Sequence, residues 1–350
     1  MKDKLRFFLG AAVCVCFGAA VLAKPEATAQ GIRQGLSVCA NVLVPSLFPF
    51  TVLSAFVINS RACNVLQKPL LPLTRLFGLP KQSAGVLLTA FTGGYPVGCI
   101  GAAELVKQGL LSKPQARRLM IFCVNSGPSF TVGAVGGAML SNTKTGVFLF
   151  VCVTAAALLM GFISRFFMDC ADEKNFSPVH TPPPSFSHAL VGSVAGGGKS
   201  IYLICTWAVL FSGICASLSA MIKNETVTTA ISLIAEVTSA ATTAVKMGSL
   251  PLTAAVIAFG GVSVHCQVMS IGEAFGIKYK ELLTARLIHA ALSFLISAIG
   301  QKLLPVTLTA EVFAQNVSAQ AFSVSAPAAG ALMFLLAVLI SDLDRKRKVW

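Results

Sequence analysis

Glu236 stands inside a run, Thr226 to Lys246, that is rich in Thr, Ser and Ala and otherwise carries charge only at its end. A carboxylate at membrane depth costs about 2.5–3.5 kcal/mol on insertion scales unless something pairs with it or hydrates it. A ligand contact, a cation site or a proton site would repay that cost. The competing reading is a turn Glu near an aqueous edge. Glu104 is a weaker candidate, because Lys107 lies three residues on and would meet it on one helix face.

Two further groups interrupt long apolar runs. Asn125-Ser126-Gly127-Pro128-Ser129 breaks the stretch Arg118 to Leu140, and Gly260-Gly261-Val262-Ser263-Val264-His265 breaks Pro251 to Ser270. Pro128 lacks an amide proton and collides with the preceding turn, so a helix ends there. The half-helix after such a break points free amides and its positive end into the gap, a place for polar or anionic groups. Asn125, Ser126, Ser263, His265 and Gln267 are therefore candidate substrate-binding residues beside Glu236, with Tyr95 as a further contact. Gly93, Gly94, Pro96, Gly98, Gly127, Pro128, Gly260 and Gly261 are expected to shape the backbone. For His265 the competing reading is a hydrogen-bonded structural residue. His180, His188 and His289 have no evident partner in the sequence.

Other chemistries are excluded or unsupported. The 11 cysteines sit mostly in apolar stretches without a CxxC pair and act as small apolar residues. No metal-ligand spacing, hydrolase elbow or phosphate loop occurs, and Gly196-Gly197-Gly198-Lys199-Ser200 reads as the flexible start of a membrane helix. Neither a cofactor nor a metal is expected, and no enzymatic residue set is visible. The net charge of +14 is spread over several loops without interleaved aromatics, which argues against nucleic acid.

The elements that must position these residues follow from composition. The 350 residues are 55% hydrophobic and 11% charged, against about 25% charged in soluble domains. Too few polar residues remain to cover such a chain in water, so it is expected to be an all-α polytopic membrane protein. Runs of about 20 apolar residues mark the spans: Leu5–Ala23, Leu36–Ile58, Arg118–Leu140, Gly146–Met168, Lys199–Ile222, Pro251–Ser270, Leu282–Leu304 and Ala326–Ser341. The first is expected to be a retained helix, the alternative being a signal peptide cut after Ala23. Ser83–Phe91 and Cys99–Leu111 are too short to span and flank Thr92-Gly93-Gly94-Tyr95-Pro96-Val97-Gly98. They read as a re-entrant hairpin, and Thr226–Lys246 reads as a second with its tip at Glu236–Ser239. Irregular backbone at that depth must face protein or a water-filled cavity.

Each half of the chain thus runs span, hairpin, broken helix, span. Val106-Lys107-Gln108-Gly109-Leu110-Leu111 faintly echoes Val245-Lys246-Met247-Gly248-Ser249-Leu250. With the N-terminus inside, Lys and Arg collect on the inner side, from Lys2–Arg6, Arg61–Lys81 and Lys107–Arg118 through Arg165–Lys199 and Lys278–Arg286 to Arg345–Lys348. The outer side keeps Lys24, Arg33, Lys144, Lys223, Lys246 and Lys302. The bias predicts about eight spans with both termini cytoplasmic. The two hairpins then enter from opposite sides, as two inverted repeats, a plan common in secondary transporters. The expected organisation is an N-terminal membrane helix (1–35), a first repeat (36–170), a polar Pro-rich linker (171–198), a second repeat (199–304) and a C-terminal helix with a basic tail (305–350).

Taken in order, Thr92–Gly98, Asn125–Phe130, Glu236-Val237-Thr238 and Phe259–Gln267 resemble the signatures of a sporulation integral membrane protein family. That family lies in the nucleoside-recognition (Gate) domain group and is similar to the membrane domains of concentrative nucleoside transporters and ferrous-iron permeases. The resemblance spans roughly Leu36 to Leu304. It implies an endospore-forming Gram-positive source, a role in spore formation and a solute gate in the cell membrane. Ala235 precedes Glu236 where the nucleoside transporters carry Asn, so the resemblance does not assign nucleosides as cargo. The expected function is a transporter or permease for a small polar or charged solute. The alternative is a non-transporting assembly factor of spore morphogenesis, whose surfaces would be the basic loop Arg61–Lys81 and the loop at Pro182. Expected partners are the bilayer, the small solute and sporulation membrane proteins, with a homo-oligomer left open and no nucleic acid.

Overall fold

The computed structural model describes residues 21–59, 68–167 and 185–303, with the isolated positions 15, 18 and 19. The expected helices Leu5–Ala23 and Ala326–Ser341, the loop at Pro182, His180 and the tail Arg345–Lys348 lie wholly or mostly outside these residues, as does the first third of the basic loop Arg61–Lys81, residues 61–67.

Among the described residues every regular element is helical. α1 (Pro25–Val38) passes through a π-helical turn, Cys39–Leu43, into α2 (Val44–Asn59). α3 (Leu71–Leu76) precedes α4 (Ser83–Gly93), α5 (Tyr95–Lys107), α6 (Lys113–Cys123) and a π-helical segment, Ser129–Met139. α7 (Thr143–Phe167), α8 (Phe186–Met221), α9 (Glu225–Ala235), α10 (Val237–Lys246), α11 (Leu250–Phe259), α12 (Gly261–Gly272) and α13 (Tyr279–Leu303) complete the order.

Four of these helical stretches are long and apolar enough to cross a bilayer: Thr143–Phe167, Phe186–Met221, Leu250–Phe275 and Tyr279–Leu303. Pro25–Leu43 with Leu47–Leu53, bent by 56°, makes a fifth if counted as one span. The bend has a local cause. Pro45 and Pro49 each remove an amide from the ladder, and the π-helical turn just before them shifts its register.

The structure departs from the sequence reading in two places here. The stretch expected to span as Arg118–Leu140 is instead α6, which starts at Lys113, then an irregular loop and the π-helical segment. Ser112 sets that earlier start with a capping box: its hydroxyl accepts from Gln115 N at 3.3 Å, and Ser112 N donates to Gln115 Oε1 at 2.9 Å. Residues 186–198, assigned to a linker, form the first turns of α8, so the glycine run Gly196–Gly198 lies inside a helix rather than starting one. Gly197 is needed there for contact, since a Cβ on it would stand 2.6 Å from Val52 Cγ2 on α2.

Polarity is distributed as lipid immersion requires. α7 exposes Val147, Val151, Leu159, Phe162 and Phe166, and α13 exposes Leu287, Leu295 and Ile299. The interior meanwhile holds Asn125, Ser126, Glu236, Gln267, Arg286 and His289, all buried. Such an arrangement would be costly in water and fits a hydrocarbon solvent. With no hydrophobic drive between helices in lipid, close approach of small residues supplies the cohesion. α1 meets α8 at Gly31, where a Cβ would lie 2.5 Å from Ala216 Cβ, and Ser129–Met139 meets α7 at Gly136, 2.6 Å from Gly146 Cα. α11 sits centrally, packed on α13, α7 and α10.

Candidate functional site

Two helical hairpins and two broken helices meet at one point. α4 and α5 fold back on each other so closely that a Cβ on Gly98 would lie 2.7 Å from Ala90 Cβ. The turn is Gly94 alone, at φ 88° and ψ −170°, a conformation open essentially to glycine. The sequence suggested a seven-residue tip, Thr92–Gly98. It contracts to one residue because Pro96 fits the first turn of α5, where no amide is needed. The second hairpin, α9–α10, turns on Glu236 in extended backbone. Its carboxylate Oε2 accepts from Ser239 N at 2.8 Å and so caps α10.

The first broken helix leaves the helical path between Val124 and Pro128. Gly127 in that loop abuts the first hairpin, and a Cβ there would stand 3.0 Å from Gly94 N. The second break, Gly260-Gly261, lies against the second hairpin, with a Cβ on Gly261 falling 2.9 Å from Val237 N. Tyr95 joins the two pairs. Its hydroxyl donates to Ile257 O on α11, and its ring lies beside Gly260.

Around this junction is a narrow cavity of about 40 Å³, room for about two or three water molecules. Gly93, Gly94, Tyr95, Pro96, Gly127, Glu236, Thr238, Ser263 and Gln267 line it, closed on the far side by Leu43, Leu47, Ile204 and Ala208. The starts of α5, α10, α12 and the Ser129–Met139 segment thus all border one space. Elsewhere α6 is capped by Ser112, α9 by Asn224 and α11 by Ser249, while α1, α3 and α4 have no side-chain cap. At the cavity only α10 is capped, by Glu236; α5, α12 and Ser129–Met139 have no side-chain cap. Pro96 and Pro128 bring no amide to these starts, and Val97 N and Thr131 N donate to Gly94 O and Gly127 O at 3.1 Å each, so the positive partial charge of the remaining first-turn amides is what faces the cavity.

Of the candidates named from sequence, Glu236, Tyr95, Ser263 and Gln267 line the cavity together. Asn125, Ser126 and His265 do not line it. Asn125 is fully buried and donates from Nδ2 to Thr154 Oγ1 at 3.4 Å, while the Ser126 hydroxyl is 2.7 Å from Thr131 Oγ1. His265 donates from Nε2 to Phe259 O at 3.0 Å, with its ring edge-on to Phe259. It staples α11 to α12 across their break, which is the structural alternative weighed for it. Glu104 lies away from the cavity and pairs with Gln108 Nε2 at 2.8 Å rather than with Lys107. His188 falls in the first turn of α8.

Three residues that sequence reading missed matter here. Thr238 lines the cavity beside Glu236 and is 7% exposed. Arg286 was counted as a loop charge but is fully buried within α13. Its guanidinium donates to Ile121 O and Val124 O, capping the carbonyl end of α6 where the first break begins. Arginine has no acceptor and a carbonyl no donor, so the tautomer of His289 follows. Its Nδ1 accepts from Arg286 Nη1 at 3.1 Å, and its Nε2 donates to Val153 O at 2.9 Å. Arg286 and His289, three apart in an apolar helix, were the available signal. Arg118 is likewise buried, donating to Ser164 Oγ at 3.3 Å. Neither arginine belongs in the loop charge count.

The chain is 29% identical over 164 residues, 47% of its length, to Sporulation integral membrane protein YlbJ of Bacillus subtilis (strain 168). The matched region covers 40% of that relative. No protein-family model matches the chain, and no solved structure gives a significant match. The likeness falls among the sporulation membrane proteins that the four motifs resemble. The Gate and nucleoside-transporter side of that resemblance rests on the motifs alone.

Proposed function

We propose that the chain is a multi-pass integral membrane transporter or permease for a small polar or charged solute, acting in spore formation and not as an enzyme. The carrying observation is the gathering of both hairpins and both broken helices around one cavity that contains a buried carboxylate. In the proposed arrangement the hairpins are re-entrant from opposite faces, the halves are inverted repeats among about eight spans, and both termini are cytoplasmic. The sporulation role is carried over from the name of the relative and from the motif resemblance.

At about 40 Å³ the cavity holds water but no larger solute, so this conformation is read as occluded. Opening would separate the wall Leu43, Leu47, Ile204 and Ala208 from the hairpin tips. The test is access to the cavity. In Thr238→Cys and Ser263→Cys variants, a membrane-impermeant maleimide is applied to right-side-out and inside-out vesicles, and the labelled peptide is read by mass spectrometry. The expected result is labelling at both positions from each side, with none at Ser293→Cys, which is fully buried on α13 away from the cavity. Cysteines at 238 and 263 that stay unreactive from both sides would refute transport and favour the non-transporting assembly factor.

A further inference from the structure

Resting on the proposed re-entrant path of the second hairpin, we infer that the apolar run Ala326–Ser341 docks as a helix into an open groove between α8 and α9 and so supports that hairpin from outside. The groove has a volume of about 480 Å³ and an almost wholly apolar lining. α8 supplies Phe211, Ile214 and Leu218, and α9 supplies Val227, Ile231 and Ile234. Its inner end is Ala235 and Val262, the chain neighbours of Glu236 and Ser263 in the cavity. The two hairpins differ here. α4 buries most of its length, from Ser83 to Gly93, and packs on α2, whereas α9 buries no residue. Val227 and Ile234 are 43% and 51% exposed. The 11 residues of α9 are too few to cross a bilayer, which takes about 20, so this half-helix depends on a neighbour.

The path of the chain selects the occupant. Leu250–Phe275 and Tyr279–Leu303 each have the length of a span. With the hairpin returning to its own side, Leu303 lies on the side where α8 ends and α9 begins, at the mouth of the groove. Residues 304–325 join Leu303 to the run and reach up to about 70 Å when extended. Ser325 and Pro327 are helix-start residues, and Ala326–Ser341 is about 24 Å long as a helix, enough to follow the groove to its inner end. The surfaces also match in kind. Helices in lipid associate through close approach of small residues. Cys215, Thr226 and Ala230 offer such places in the groove, and Ala326, Ala328, Ala329, Gly330 and Ala331 offer them on the run. A lipid tail would fill the groove whatever its residue sizes, so this pairing favours a helix. A helix tethered to the same chain is also present at high effective concentration, which favours it over a second copy. So docked, the run backs Ala235, and the freedom of the Glu236 turn depends on it.

The experiment puts p-benzoylphenylalanine in place of Ile234 in the groove, and separately in place of Val151, exposed on α7, in the full-length chain in membranes. After irradiation, mass spectrometry identifies what is cross-linked and a denaturing gel shows its size. Position 234 is expected to yield an adduct with a peptide from 326–341 that migrates as a single chain, and position 151 none. Ala230→Trp, which fills the groove from an exposed position, is expected to lose that adduct. An adduct with lipid, with another protein or in a covalent dimer of this chain would overturn the inference, as would no adduct or one that survives Ala230→Trp. The re-entrant path is checked separately. Lys223→Cys and Lys246→Cys, at the two ends of the hairpin, should react with an impermeant maleimide from the same side. Labelling from opposite sides would remove that path and the docking with it, whereas same-side labelling without the 326–341 adduct would sink the docking alone.

Discussion

Gly261 and Gly248 form a natural pair for testing how tightly the second break is packed. Both are left-handed, at φ 73° and 69°. They differ in what a methyl group would meet. At Gly248 nothing lies within 4 Å, whereas at Gly261 a Cβ would stand 2.9 Å from Val237 N and 3.1 Å from the Glu236 Cα and carbonyl carbon. Left-handed backbone costs an L-residue about 1–2 kcal/mol, and both alanine variants incur it. Crowding in a packed interior adds about 1–3 kcal/mol. Because the atoms met at Gly261 are backbone, no rotamer change relieves it. Gly248→Ala should therefore lose about 1–2 kcal/mol, and Gly261→Ala about 2–5 kcal/mol, in equilibrium unfolding in detergent. Gly261→Ala should also push the Glu236 turn away from α12 and lower maleimide labelling at Thr238→Cys, while Gly248→Ala leaves that labelling unchanged. Equal losses in the two variants, with labelling unaffected, would refute the claim that hairpin and break are locked backbone to backbone.

Other perturbations probe the rest of the framework. Arg286→Met strands two carbonyls and His289 Nδ1. At about 0.6–1.7 kcal/mol for each interhelical bond in a membrane, it should cost about 2–5 kcal/mol by unfolding, and Arg286→Lys should cost less. A Met variant as stable as the parent would show that removing a buried charge outweighs the lost cap. Tyr95→Phe, which removes the bond to Ile257 O, should lower stability by about 0.5–1.5 kcal/mol and loosen contact between α5 and α11, read as faster amide exchange at the start of α12. Ser112→Ala breaks a capping box remote from the cavity and should cost about 0.5–2 kcal/mol without altering labelling at Thr238→Cys. In an endospore-forming host that depends on this chain, Glu236→Gln should reduce heat-resistant spore yield, while Glu225→Gln at an exposed helix start should not. Equal yields would sever the cavity from sporulation.

Composition alone fixes the solvent of this chain, because a polypeptide 55% hydrophobic and 11% charged has no polar surface with which to face water. Local chemistry also writes the helix interruptions into the sequence. Gly94 supplies a backbone that other residues avoid, Gly260-Gly261 supplies two more, and Glu236 both ends one helix and caps the next. These are near-neighbour effects and need no knowledge of the fold. Which interruptions meet is a different kind of question. Gly127 against Gly94 and Gly261 against Val237 join positions far apart in the chain, and only helix packing brings them together. For the same reason Asn125 and His265 look like Ser263 and Gln267 in sequence, yet packing turns the first two away from the cavity and the last two into it. Arg286 shows the limit most plainly. Its charge is legible, but its role depends on the carbonyl end of α6, which reaches it only after α13 has docked beside the break.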